Sequence, residues 1–259
     1  MHIRLFSDLH LEFLNFDIEP MPEDSESILV LAGDIHVGHR VVPFLDGCAH
    51  MFKHVVYVLG NHEYYKGDLD YTLNDIKVAT SMIPNIHVLE NKTIEVEGIR
   101  IIGATMWSSF DGANPLSMLR AAQGMYDYSI ISWHDRLITP NDTLQKHRES
   151  VQYISEELYK KYDGPTIVVT HHAPSRQCVH PAYATSGING SFVSDLDALI
   201  ERFQPDYWFY GHTHQTIHVD IGKTKIRNNP RGYANAKGVE NGSFDLEYRV
   251  EVASSKIEE

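Results

Sequence analysis

The sequence predicts an α/β fold, and three observations carry that reading. Continuous apolar runs of strand length stand at Ser27 to Leu31, Val55 to Leu59 and Thr166 to Thr170, as expected of strands buried on both faces. Segments of helical pattern separate them. Each run stops at a short cluster of Gly, Asp, Asn or His, where open α/β sheets place their ligand-binding loops.

The elements follow in chain order. Ile3 to Phe6 reads as a short strand ending at Ser7-Asp8-Leu9-His10. Ser27 to Leu31 ends at Ala32-Gly33-Asp34, and a helix is expected from Val41 to Phe52. Val55 to Leu59 ends at Gly60-Asn61-His62-Glu63. Leu69 to Met82 reads as helix. Ile86 to Leu89, Thr93 to Val96 and Ile99 to Ile102 read as strands, with Glu97-Gly98 as a hairpin turn. Met106 to Pro140 is rich in aromatics, Gly and Asn and shows no clear period. Asn141 to Tyr162 reads as an amphipathic helix capped by Asn141 or Asp142. Thr166 to Thr170 ends at His171-His172. Ser194 to Phe203 reads as helix, capped by Ser194 or Asp195. Tyr207 to Tyr210 is a strand followed by Gly211-His212-Thr213-His214. Ile217 to Val219 and Leu246 to Val252 suggest closing β-structure. No linker composition intervenes, so residues 1–259 read as a single domain, with 106–140 as an insertion that shapes a substrate pocket.

Bulk composition narrows the function. A formal net charge of −13 argues against a wide grip on extended duplex nucleic acid. It leaves phosphate chemistry open, because bound divalent cations invert the local field. Cysteine is confined to Cys48 and Cys178, which points to a reducing, cytoplasmic setting. Arg4 and Asp8 interrupt the first residues, so these are not read as a signal peptide, and no run approaches the ~18 apolar residues of a membrane span. The oligomeric state stays open.

Histidine is the outlier, with sixteen residues. Five strand ends bring Asp8 and His10, Asp34, Asn61 and His62, His171 and His172, and His212 and His214 to one edge. Carboxylate and imidazole without thiolate suit Mn, Fe, Zn, Co or Ni rather than Cu(I) or an iron–sulfur cluster. They also exceed the four ligands of one structural zinc, so two metals are expected. Taken singly, Asp8 could cap a turn, Gly33-Asp34 could mark a junction, and Asn61 suits a turn. Together those readings leave the convergence unexplained. His2, His50, His54, His87 and His218 stand in ordinary strand or helix contexts, whereas His36 and His39 follow Asp34 closely enough to border the site.

Five motifs stand in order: D-x-H at Asp8-Leu9-His10, G-D at Gly33-Asp34, G-N-H-E from Gly60 to Glu63, H-H-x-P from His171 to Pro174, and G-H-x-H from Gly211 to His214. This series resembles the calcineurin-like metallophosphoesterase superfamily, in its compact bacterial-type form. The resemblance implies a four-layer α/β/β/α sandwich, with two mixed β-sheets flanked by helices, and a centre of two divalent or trivalent metal ions, Mn favoured in vitro. It assigns Asp8, His10 and His214 to one metal and Asn61, His171 and His212 to the other, with Asp34 bridging. His62 then faces the substrate phosphate, and a metal-bridging hydroxide attacks phosphorus in line. His62 and Asp34 are the catalytic candidates. His172, Arg231 and His36 are candidate substrate contacts, Arg231 because Asn229-Pro230-Arg231-Gly232-Tyr233 resembles a tail of compact phosphoesterases.

Departures from the family refine the substrate. Gly33 to His39 lacks the Asp-Arg pair of the protein phosphatases, and no capping or coiled-coil segment of the repair nucleases is visible. The expected activity is a phosphodiesterase on a small or nucleotide-like phosphate ester. A phosphomonoesterase is the alternative. A non-catalytic scaffold, as in a retromer subunit of this fold, requires a degraded ligand set, and here every ligand position is filled.

Overall fold

In a computed structural model, which describes residues 1–253, the apolar runs become the inner strands of two sheets. In the first, β1 (His2–Phe6), β2 (Ile28–Ala32), β3 (His54–Val58) and β4 (Ile86–Leu89) lie side by side and parallel. The second begins with the antiparallel pair β5 (Lys92–Val96) and β6 (Ile99–Ala104). A small hairpin of β7 (Ser132–Trp133) and β8 (Arg136–Leu137) intervenes. The second sheet then continues with β9 (Thr166–Thr170), β10 (Tyr207–Phe209), β11 (Val219–Ile221) and β12 (Thr224–Arg227), in the order β11-β12-β10-β9-β6-β5. A second hairpin pairs β13 (Ala234–Asn235) with β14 (Gly238–Val239), and β15 (Arg249–Glu251) returns antiparallel beside β1. Both large sheets are therefore mixed.

The helices α1 (Val42–Met51) and α2 (Leu69–Thr80) pack Leu45, Leu69 and Ile76 against Leu29, Leu31, Val55 and Tyr57 of the first sheet. Within the aromatic stretch lie α3 (Phe110–Ala113), α4 (Pro115–Gly124) and α5 (Asp127–Ile130). On the far side, α6 (Pro140–Tyr159) and α7 (Asp197–Phe203) set Ile154, Leu158 and Ile200 against Ile102, Val168 and Trp208. The alternate residues Ile28, Val30, Val56, Ile101, Ile167 and Val169 fill the space between the two sheets. Because side chains alternate along a strand, a strand with cores on both faces must be apolar at every position. That is why the runs are continuous, and each such side chain contributes ~1.5–3 kcal/mol on burial. This is the four-layer sandwich the resemblance implies.

Three local expectations change. The cap of α6 is Thr139, not Asn141 or Asp142: the Thr139 N–H donates to the Asp142 carboxylate at 2.7 Å, and Pro140 takes the first helical position, where its missing N–H costs nothing. Neither Ser194 nor Asp195 caps α7, which starts at Asp197; the Ser194 hydroxyl instead accepts from the Ser109 N–H at 3.1 Å. The stretch after β6 holds two short right-handed helices, α4 and α5, with Asn114 capping α4 by accepting from the Leu116 N–H at 2.9 Å. Its helices are too short to register as a period. Among the described residues, no helix is long and apolar enough to cross a membrane.

One buried histidine away from the strand ends makes stability pH-dependent. His147 on α6 is buried, and its Nδ1 meets the Met106 carbonyl at 3.0 Å. Burial, partly opposed by that hydrogen bond, pushes its pKa down from 6.5 to about 4. As pH falls below 6.5 the unfolded chain takes up the proton first, so stability is full above that value and declines until about pH 4. The whole effect is worth roughly 3 kcal/mol. His147→Gln is expected to flatten this acid limb in urea titrations run from pH 7 to 4, whatever its effect at neutral pH. An unchanged slope would place the acid sensitivity elsewhere.

Candidate metal centre

The strands deliver their polar clusters through sharp, strained turns. Asp8, His10, Asp34, His212 and His214 all adopt positive φ, between 47° and 69°. In this left-handed region a side chain costs roughly 1–2 kcal/mol, so the motifs carry part of the chain's backbone strain. Two glycines permit the close approach. A Cβ on Gly60 would collide with the Asp34 carboxylate, and one on Gly33 with the His171 ring. Glu63 stitches two of the turns together. Its buried carboxylate accepts from the N–H groups of Asp34 (3.0 Å), Ile35 (2.7 Å) and Gly60 (2.7 Å), and from the Tyr57 hydroxyl (2.8 Å).

Two groups of donor atoms result, and they share one residue. Asp8, His10, Asp34 and His214 each bring one ligand atom to within 4.8 Å of the others, and so do Asp34, His171 and His212. In the first group the Nε2 atoms of His10 and His214 face each other at 2.9 Å. In the second, His171 Nε2 lies 3.1 Å from His212 Nδ1 and 3.1 Å from Asn61 Oδ1. Among the described residues, neither Oδ2 of the buried Asp34 nor Nε2 of His212 finds a hydrogen-bond partner.

The outer atoms set the tautomers. His10 Nδ1 meets Glu12 at 3.1 Å, His214 Nδ1 meets Glu240 at 2.7 Å, and His171 Nδ1 meets the Ala32 carbonyl at 2.9 Å. Each partner is an acceptor, so the proton sits on Nδ1 and a bare Nε2 turns inward, the arrangement that metal-ligating histidines use. Opposed lone pairs at such distances need a cation or a proton between them. The electrostatics agree. Burial opposes a charge on His171, yet Asp34 holds its pKa at about 9. Burial likewise opposes a charge on His214, and the bonds to Asp8 and Glu240 raise it to about 10. Asp34 resists its own burial and stays well below the usual carboxylate range because His171 and His62 face it. Burial wins at the other two rings and holds His10 and His212 below the ordinary histidine value, so the proton affinity collects on the two rings that face Asp34 and Asp8 most directly.

His62 stands beside these groups. Its Nδ1 meets Glu12 at 2.9 Å, its Nε2 lies 3.9 Å from Asp34 Oδ2 and 3.4 Å from the Tyr233 hydroxyl, and its ring stacks on Tyr65 at 4.0 Å. Burial disfavours the imidazolium, but Asp34 and Glu12 outweigh it and raise the pKa. His10, Glu12 and His62 also bring ligand atoms within 4.8 Å of one another.

The three candidate substrate contacts fare differently from the motif residues. His172 is buried behind the site, with Nδ1 3.3 Å from the Thr105 carbonyl and its ring 4.2 Å from that of His212, so it supports His212 rather than facing outward. Arg231 is also buried. Its guanidinium donates to the carbonyls of Leu9 (2.9 Å), Leu14 (2.9 Å) and Asn15 (3.4 Å) and lies over Phe16, which gives it a structural task in place of a phosphate contact. His36 accepts from the Val37 N–H at 2.8 Å and stands 3.8 Å from Glu12, outside the cavity lining.

Sequence reasoning missed several partners. Glu12, Glu240, Tyr65 and Tyr233 are placed above. Asp127 accepts from Asn61 Nδ2 at 2.9 Å and from the Tyr65 hydroxyl at 2.9 Å, which turns Asn61 Oδ1 toward His171. Glu12 had a sequence signal, two residues beyond His10, and Tyr233 closes the motif Asn229 to Tyr233; the others had none. A cavity of about 470 Å³ opens over Asp34, His62, His212 and His214. It runs outward past Tyr65 and Tyr126, beside α5, and past Tyr183 and Phe192.

Comparison with known proteins agrees with this geometry. The profile of one family, described as calcineurin-like phosphoesterase, matches residues 1–216. An uncharacterized protein of Acanthamoeba polyphaga mimivirus is 30% identical over 265 residues, covering 91% of this chain and 92% of its own. Among solved structures, the phosphopantetheinyl hydrolase of Mycobacterium tuberculosis superposes with a TM-score of 0.73 at 17% identity, over 89% of each chain. That likeness concerns the fold.

Proposed function

We propose, since the chain belongs to the calcineurin-like phosphoesterase family, that it is a phosphodiesterase acting on small or nucleotide-like esters through two metal ions. One observation carries the proposal: the buried Asp34 carboxylate belongs to both donor groups and keeps one oxygen without a partner among the described residues. In this reading Asp8, His10 and His214 would hold one ion, Asn61, His171 and His212 would hold the other, and Asp34 would serve both groups. The ions, when bound, supply an activated water and neutralise phosphate charge. The chain's own residues do the rest. Glu12, Glu240 and the Ala32 carbonyl hold the ligand rings in orientation, and His62 faces the cavity where the ester sits. Manganese is the first ion to test, with Fe, Zn, Co and Ni as alternatives, and two free buried cysteines fit a cytoplasmic setting.

Diesters are preferred for an electrostatic reason. Among the described residues, no lysine or arginine lines the cavity, while Glu240 does. A monoanionic diester suits that lining better than a dianionic monoester, which is the second reading. The net charge of −13 keeps extended duplex nucleic acid outside the proposal.

The test is a screen of manganese-loaded protein against mono- and diesters that share one leaving group, with metal analysis of the same sample. About two ions per chain, loss of activity on chelation and a higher rate for the diester are expected. Full activity after complete metal removal would overturn the reading.

A further inference from the structure

The outer cavity wall has a character that the phosphate chemistry does not require. Beyond the donor groups, the lining includes Tyr65, Met125, Tyr126, Tyr183, Ile188 and Phe192, with polar residues such as Ser186 and Asn189 between them. Two of these are large aromatic side chains left unusually open: Tyr126 is 63% exposed and Tyr183 is 54% exposed. They stand on different segments, before α5 and in the turn Pro181–Tyr183, yet both border the same opening. Tyr126 meets Tyr65 edge to face, with ring centroids 6.1 Å apart, and Tyr65 stacks on His62. A row of rings therefore leads from the opening to the reacting centre. The charges on this path are the carboxylates Asp34 and Glu240 and the imidazoles; no lysine or arginine lines it among the described residues.

Resting on the phosphoesterase reading above, we propose that the organic group of the substrate is flat and aromatic and carries no charge of its own. Rings recognise a flat group by stacking and edge contacts, each worth ~0.5–1.5 kcal/mol beyond burial of area. Exposed apolar surface bordering a functional cleft is where such recognition is expected. The missing cations set the charge rule. A second phosphate or a carboxylate on the organic group would find no lysine or arginine among the lining residues, and Glu240 adds negative charge to the same cavity. An uncharged nucleoside fits these requirements, and a nucleoside polyphosphate does not.

Phosphinates test this without turnover, because they are monoanions with no ester bond to cleave. Four probes suffice: dimethylphosphinate, methyl(2-naphthyl)phosphinate, and its ring-sulfonated and ring-sulfonamide derivatives. Affinity for manganese-loaded protein is read by calorimetry and by competition against a hydrolysed diester. The naphthyl compound is expected to bind at least about tenfold more tightly than dimethylphosphinate. The sulfonamide should keep that advantage, and the sulfonate, equal in bulk but charged, should lose most of it. In Tyr126→Ala/Tyr183→Ala, whose replaced side chains are largely exposed, the naphthyl advantage should shrink to about twofold. Equal binding of the methyl and naphthyl compounds, or sulfonate binding as tight as sulfonamide, overturns the inference while diester hydrolysis keeps the phosphoesterase reading intact. If no probe binds and no ester is hydrolysed, that reading falls and takes this inference with it.

Discussion

Asp34→Asn is expected to cut phosphodiester hydrolysis by at least about 10²–10³-fold, the size of losing one preorganised electrostatic group, and to lower bound metal in the same samples. The carboxylate lies between imidazoles of both donor groups, 3.9 Å from His10 Nε2 and, through its other oxygen, 3.4 Å from His171 Nε2. Without its charge, two cations would face each other with less negative charge between them. An asparagine keeps the acceptor for the His62 N–H, which Asp34 Oδ1 receives at 2.8 Å, so the turn should survive. The metal-free variant should nevertheless melt below the metal-free native protein, because His171 and His62 lose the carboxylate that favours their charged forms. Manganese should widen the gap. An ion that binds only the folded state stabilises it by about 2.7 kcal/mol at a hundred times its Kd, and this gain should largely vanish in the variant. Calorimetric melting with and without manganese, alongside metal analysis, checks each part. Native metal content together with native rate would remove Asp34 from the centre.

The sequence carried the donor residues of this centre because each lies in a short motif directly after an apolar run. A strand buried on both faces announces itself by composition, and its carboxyl end is fixed by topology, so the positions of Asp8, Asp34, Asn61, His171 and His212 followed from one-dimensional information. Their orientation did not. Asp and His visit positive φ more readily than most residues, but that tendency alone did not say that Asp8, His10, Asp34, His212 and His214 would all turn left-handed. The outer partners were hidden for a different reason. Asp127 acts on Asn61 from 66 residues away, and Glu240 on His214 from 26, inside segments without period. The cavity wall is built partly from single turns such as Arg176–Cys178 and Asn189–Ser191, too short for any periodic signal. Arg231 illustrates the converse limit. A cation in a suggestive motif invites a phosphate, but the carbonyls of Leu9, Leu14 and Asn15 take its donors, and only coordinates reveal that competition.

His62→Ala is expected to cost ~10²–10⁴-fold with an alkyl leaving group, the usual range for a general acid, and much less with a nitrophenyl leaving group. The departing oxygen of an alkyl ester gains negative charge that a proton must relieve, whereas nitrophenolate is already a stable anion. The geometry equips His62 for that task. Glu12 accepts from its Nδ1 at 2.9 Å, which holds the ring and stabilises the imidazolium. Its Nε2 points toward the cavity, 3.4 Å from the Tyr233 hydroxyl, and the stack on Tyr65 keeps the ring from rotating. The residue adjoins Asn61 in the chain but lies outside the two donor groups that share Asp34, so metal content should stay near its native level. Three outcomes can be told apart by measuring kcat/KM for both esters beside metal content. A large difference between the esters with metals retained identifies proton donation. Equal slowing of both with metals retained means that His62 stabilises phosphate charge instead. Loss of metal would make His62 a ligand, in line with its nearness to His10 and Glu12, and would require the assignment of the centre to be redrawn.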